Sequence, residues 1–91
     1  MKIYLITYDY KGSADNYSGL FTKLKKFTGW WHYLKNSWLV KTDKNANQIM
    51  EYLESELDND INLLIVEVGK DYQGWLSEKA WKWIDRNIDE E

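Results

Sequence analysis

Asp9 closes the run Ile3-Tyr4-Leu5-Ile6-Thr7-Tyr8-Asp9, which is β-branched and aromatic and holds no breaker. That composition reads as a buried strand. A carboxylate at the C-terminal end of a central strand is held rigidly and faces the loops where ligands bind. Asp also suits a plainer task, the capping of the next turn. One Asp makes no metal site, but two copies of the chain would bring two Asp9 carboxylates together as a paired site for Mg²⁺. The second candidate is Trp30-Trp31-His32-Tyr33. His32 is the chain's single imidazole, and so its one ready general acid or base near neutral pH. Its plainer reading is a histidine at a strand edge, hydrogen-bonded locally. On a strand, Trp31 and Tyr33 take the face opposite His32 and read as core or interface residues. Aromatics on a sheet can stack nucleobases, but the Gly-interleaved motif of sheet-based RNA readers is absent. Glu54, Glu56, Asp58 and Asp60 cluster around a turn without calcium-loop spacing or its glycine, and read as a solvated helix end. No phosphate-binding Gly-rich loop, Ser–His–Asp order or nucleophile elbow occurs.

The elements that must position these residues follow from periodicity. After Asp9, Lys11-Gly12-Ser13 breaks the strand. Tyr17, Leu20, Phe21, Leu24 and Phe27 then recur at helical spacing, with Asp15 as a candidate N-cap and Gly29 as a stop. Two short runs, Trp30 to Leu34 and Trp38 to Thr42, flank Lys35-Asn36-Ser37 and predict a hairpin. Ala46, Ile49, Met50, Leu53 and Leu57 restore the helical period, and Asn45 with Gln48 has the form of a capping box. Ile61 to Val68 is the most apolar strand signal. The order is strand, helix, strand, strand, helix, strand. It predicts an α+β, ferredoxin-like βαββαβ domain with a four-stranded antiparallel sheet, the first and third strands central. After Gly69 comes an extension with a third helix from Ser77. The chain therefore reads as one domain, with a ferredoxin-like unit over 1–69 and the extension over 70–91.

Both faces of the last strand are apolar: Ile61, Leu63 and Ile65 on one, Leu64, Val66 and Val68 on the other. The first strand is similar. Such a sheet needs a cover on both sides. The two crossover helices supply one, and the tail or a second copy of the chain must supply the other. Trp75 and Trp81 are expected to be buried in that cover, or in a homodimer seam with Trp31 and Tyr33.

Composition limits the function. The chain has 91 residues, no Cys and one His, which excludes disulfides, thiolate nucleophiles and Cys or poly-His metal sites. Its net charge of −3 is not that of a nucleic-acid binder. The charge is unevenly spread, however. Residues 1–44 carry eight Lys against three Asp, and residues 45–91 carry twelve acids against four bases. A local basic face is compatible with that division. No apolar run approaches the ~20 residues that span a bilayer. The N-terminal Lys runs directly into a strand pattern rather than a signal peptide, so a cytoplasmic protein of bacterial or phage origin, with no membrane partner, is expected.

Leu5-Ile6-Thr7-Tyr8-Asp9-Tyr10, the helix after it, the Gly29-to-Val40 hairpin of bulky residues and the Asp-rich turn into an apolar strand resemble the Cas-two family. These are small CRISPR-associated endonucleases and scaffolds of the spacer-acquisition complex. The resemblance covers roughly residues 1–68. The Thr7-Tyr8-Asp9, Trp30-to-Leu34 and Asp71-Tyr72-Gln73-Gly74-Trp75-Leu76 runs look still more like a set of short bacterial and phage proteins. The family resemblance implies a homodimer in which Asp9 meets its twin and binds a divalent metal, Mg²⁺, for phosphodiester hydrolysis. In that reading His32 assists proton transfer, and Lys11, Lys23, Lys25, Lys26 and Lys35 contact the phosphates of a nucleic acid or nucleotide. The chain departs from the family after Asp9, where only Lys11 is basic, in the first helix, which has Lys but no Arg, and in its Trp-rich C-terminal helix. The competing expectation is a non-catalytic interaction module, a regulator or phage-encoded inhibitor, that docks a protein partner through its aromatics.

Overall fold

The computed structural model describes residues 1–88. Strand β1 spans Lys2–Tyr10, and two residues later the chain turns at Gly12, whose φ of 82° lies where side chains strain the backbone, so the break falls on the residue that tolerates it. A 3₁₀ turn, Ala14–Tyr17, leads into α1, Ser18–Leu24. Ser13, not Asp15, caps this segment, its Oγ accepting from the Asp15 N–H at 3.1 Å. Strands β2 (Gly29–Leu34) and β3 (Ser37–Thr42) form the expected hairpin. Helix α2, Ala46–Leu53, opens on the expected capping box. Asn45 Oδ1 accepts from the Gln48 N–H at 2.9 Å, and Gln48 Oε1 accepts from the Asn45 N–H at 2.8 Å. A 3₁₀ turn (Glu54–Glu56), β4 (Ile61–Glu67) and α3 (Glu78–Ile88) complete the chain.

The four strands form one antiparallel sheet in the order β2-β3-β1-β4. The fold is thus α+β and ferredoxin-like, with β1 and β3 central and a C-terminal helix added. Alternation gives the sheet two cores. Tyr4, Ile6, Tyr8, Trp38 and Val40 face α1 and α2, packing on Leu20, Leu24, Ile49 and Leu53. Ile3, Trp31 and Leu39 face α3, packing on Ala80, Ile84 and Ile88. The spacing of those three α3 residues, i, i+4 and i+8, makes one helical stripe.

The cover for the second face is therefore intramolecular, as one of the two expectations held, but its residues differ. Trp31 is spent inside the chain: it is 2% exposed and its Nε1–H donates to the Ala80 carbonyl at 3.1 Å. Trp81 is half-buried against the same core, alongside Tyr72. Trp75 is not buried at all, being 100% exposed. It precedes the Ser77 cap on an irregular segment, so no helical stripe turns it inward. At Gly29 a Cβ would lie a tight 3.3 Å from Lys41 Cβ on β3 and at ordinary contact, 3.5 Å, from Trp83 Cζ2 on α3. No helix among the described residues is long and apolar enough to cross a membrane.

Candidate functional site

Asp9 lies at the end of β1 on the α3 side of the sheet, because it shares alternation with Ile3, Leu5 and Thr7. Helix α3 does not reach it. Register places Asn62, Leu64 and Val66 of β4 opposite Asp9, Thr7 and Leu5, on the same face. Asp9, Thr7, Asn62 and Leu64 line a shallow depression of about 310 Å³. Its neighbours along the sheet are the Thr7 and Ser37 hydroxyls, 2.9 Å apart. At the adjacent β2–β3 turn, the Asn36 carbonyl accepts from the Tyr8 N–H at 3.0 Å, while Asn36 Oδ1 is buried without a partner. Leu64 is 59% and Val66 43% exposed. The open part of the second face is thus a carboxylate, two hydroxyls and an amide beside two bare aliphatic side chains.

His32 is not part of this arrangement. It lies on the other face, over β3, with its ring centroid 4.0 Å from that of Trp38 and nearly parallel to it. Its Nε2 is 3.1 Å from the Lys35 carbonyl. Phe21 also stacks on Trp38, and Trp30 packs on it at a tilt; the Trp38 Nε1–H donates to Tyr8 Oη at 2.9 Å. Burial pushes the Tyr8 phenol above its ordinary value, against the opposing effect of the Trp38 N–H. Asp9 and His32 are therefore separated by the thickness of the sheet and by a whole strand, and they do not form one acid–base pair. Tyr33, on the α3 side of the edge strand beside Trp31, is half-exposed.

The five candidate lysines divide between the two ends of the sheet. Lys11 and Lys35 belong to the end that holds Asp9, since β1 runs toward Tyr10 and the β2–β3 turn lies over Tyr8. Lys23, in the last turn of α1, and Lys25 and Lys26, just after it, lie toward the opposite end, before the start of β2. Between the two ends, β1 runs nine residues at about 3.3 Å each. Lys23 is also tied down: its Nζ donates to the Tyr52 carbonyl and to Ser55 Oγ, each at 2.8 Å. Lys25 holds its ammonium over the Trp30 ring, 5.8 Å from the centroid.

The acidic turn has a structural task. Tyr17 Oη donates to Asp58 Oδ1 at 3.1 Å, and the same oxygen accepts from the Asp60 N–H at 2.8 Å. Among the described residues no three His, Asp or Glu side chains gather as a metal site. Sequence reasoning missed Asn62, whose place beside Asp9 depends on strand register. It also missed Thr42, Lys44 and Tyr52, which share a second cleft of about 230 Å³ with Lys26. Neither group has a local motif, because each is assembled from distant segments. Comparison with known protein families, curated proteins and solved structures finds no match to this chain.

Proposed function

We propose that the chain is a non-catalytic interaction module, pairing with a second copy of itself through the open part of its second sheet face. The observation that carries this is the exposure of Leu64 and Val66 on an edge strand. Fully burying such a side chain is worth about 1.5–3 kcal/mol. Edge strands that stay solitary usually carry Lys, Pro or a bulge. β4 has no Lys between Ile61 and Glu67, the chain has no Pro, and the pairing of β4 with β1 runs without a break. The separation of Asp9 from His32 by the sheet favours binding over catalysis.

A second reading uses the same surface. The exposure of Asp9 beside Leu64 favours it, because a two-fold pairing there would bring two Asp9 carboxylates toward each other. That is the arrangement which the resemblance to the Cas-two family implies, with Mg²⁺ between them and a nucleic acid as substrate. Light scattering on the full chain, with Leu64→Glu as the variant, tests the first reading. A dimer that becomes a folded monomer on substitution is the expected result; a wild-type monomer at high concentration overturns it. A Mg²⁺-dependent cleavage assay separates the readings. No cleavage is expected, and cleavage abolished by Asp9→Asn would overturn the non-catalytic reading.

A further inference from the structure

At the end of the sheet away from Asp9, two connections lie side by side. Lys26 and Thr28 belong to the link from α1 to β2. Thr42 ends β3, Asp43 and Lys44 belong to the link from β3 to α2, and Tyr52 comes from α2. Together they line a cleft of about 230 Å³. We infer that this cleft binds the phosphate group of a small phosphorylated molecule.

Three observations support the inference. The first is uncompensated positive charge. Lys44 Nζ lies 6.0 Å and Lys23 Nζ 5.0 Å from the centroid of the same Tyr52 ring. Of the lysines, Lys26 and Lys44 line the cleft itself. Neither Lys26 nor Lys44 forms an ion pair among the described residues, where Lys2 pairs with Glu67 and Lys82 with Glu78. Asp43 is the single carboxylate in the lining.

The second observation is Thr42. It is the one buried polar residue among those described, 4% exposed. Its Oγ1 accepts from the Lys44 N–H at 3.1 Å. That bond leaves the hydroxyl proton to donate, and an anion in the cleft is the acceptor it would meet. The third is size. A cleft of about 230 Å³ falls below the roughly 300–1,000 Å³ of sites that enclose a drug-sized ligand, so it suits a small anionic head. Lysine ammonium groups and hydroxyl donors together are a common phosphate-binding set. Asp43 repels part of the anion's charge, and it offers an acceptor to a hydroxyl on the organic portion of the ligand.

This inference is independent of the proposed docking face, which lies at the other end of the molecule. Calorimetric titration of the full chain with inorganic phosphate, a ribose phosphate and unphosphorylated ribose tests it. Saturable binding of a phosphate-bearing probe, with none of ribose, is expected. Tighter binding of the ribose phosphate assigns the site to phosphorylated organic molecules; equal affinity assigns it to the free anion. The double variant Lys26→Ala, Lys44→Ala should weaken binding on the order of a hundredfold or more, since losing each charge-assisted hydrogen bond costs about tenfold. Lys35→Ala, at the far end of the sheet, should leave affinity unchanged. The proposal is overturned by no binding of either phosphate probe, by binding that survives the double variant, or by an equal loss in Lys35→Ala. It is also overturned if only a single-stranded oligonucleotide binds, which would make the surface a nucleic-acid contact instead.

Discussion

At Tyr17, burial and two carboxylates act in the same direction on one phenol. Desolvation raises its pKa first, and the hydrogen bond to Asp58, the charges of Asp58 and Asp60 and the nearby Tyr10 raise it further. Tyr8 is raised as well, by burial. A phenol that resists ionisation in the folded state but ionises near 10.0 when unfolded makes stability depend on alkalinity. Below the unfolded value both states keep the proton, and the contribution is fully present. As pH rises above about 10 the unfolded chain loses protons that the folded one holds, so stability falls through the folded values. The tyrosinate absorbance of the folded protein should therefore include late steps that Tyr8→Phe and Tyr17→Phe each remove. Tyr17→Phe should move the alkaline unfolding midpoint upward. An alkaline tyrosinate titration left unchanged by both substitutions would contradict this account.

The elements hold the molecule's two ends by different means. At the start of α2, the reciprocal Asn45–Gln48 pair satisfies backbone donors that the helix itself leaves unbonded. Asn45→Ala should lower stability by about 1 kcal/mol, read as a shift in the urea midpoint without a change in slope. The same cap holds the link that carries Thr42 and Lys44, so phosphate binding should weaken in that variant while the protein remains folded. Strand β4 has no comparable device. It is paired along one edge and bare along the other, and its second face is only partly covered. That difference is why the docking proposal belongs to β4 and the anion proposal to the capped end.

Across the whole molecule, α3 turns a sheet with two apolar faces into one whose second core is mostly closed. It does so with Ala80, Ile84 and Ile88, while the most conspicuous tail residue, Trp75, stays in solvent. Removing part of the buried stripe should be far more damaging than removing the exposed indole. Ile84→Ala is expected to destabilise by about 2–5 kcal/mol, a large share of the roughly 5–15 kcal/mol typical of a domain. Trp75→Ala should change stability by no more than about 0.5 kcal/mol. Chemical denaturation of the two variants side by side checks the contrast. A large loss from Trp75→Ala would mean that its indole is buried in solution, as in a seam between copies.

Local chemistry was enough to read most of the elements from the residues alone. The breaker-free run into Asp9, the helical spacing of Leu20 and Leu24, the Asn45–Gln48 box and the double-sided strand at residues 61–68 each act within a few positions along the chain. Their order then narrowed the topology to the ferredoxin-like arrangement, because crossover handedness leaves few alternatives. Tertiary structure decided which side chains meet. Asp9 and His32 read as partners by type but fall on opposite faces, since alternation and strand order, not chemical suitability, set their distance. Lys23, Lys25 and Lys26 look continuous with Lys11 and Lys35 on a charge count, yet helix α1 carries them back along the sheet to its other end. Trp75 and Trp81 both read as cover, but the irregular segment before the Ser77 cap leaves Trp75 in solvent while α3 half-buries Trp81. A contact between distant segments depends on register and helix phase summed over the whole chain, and no short stretch of residues contains that sum.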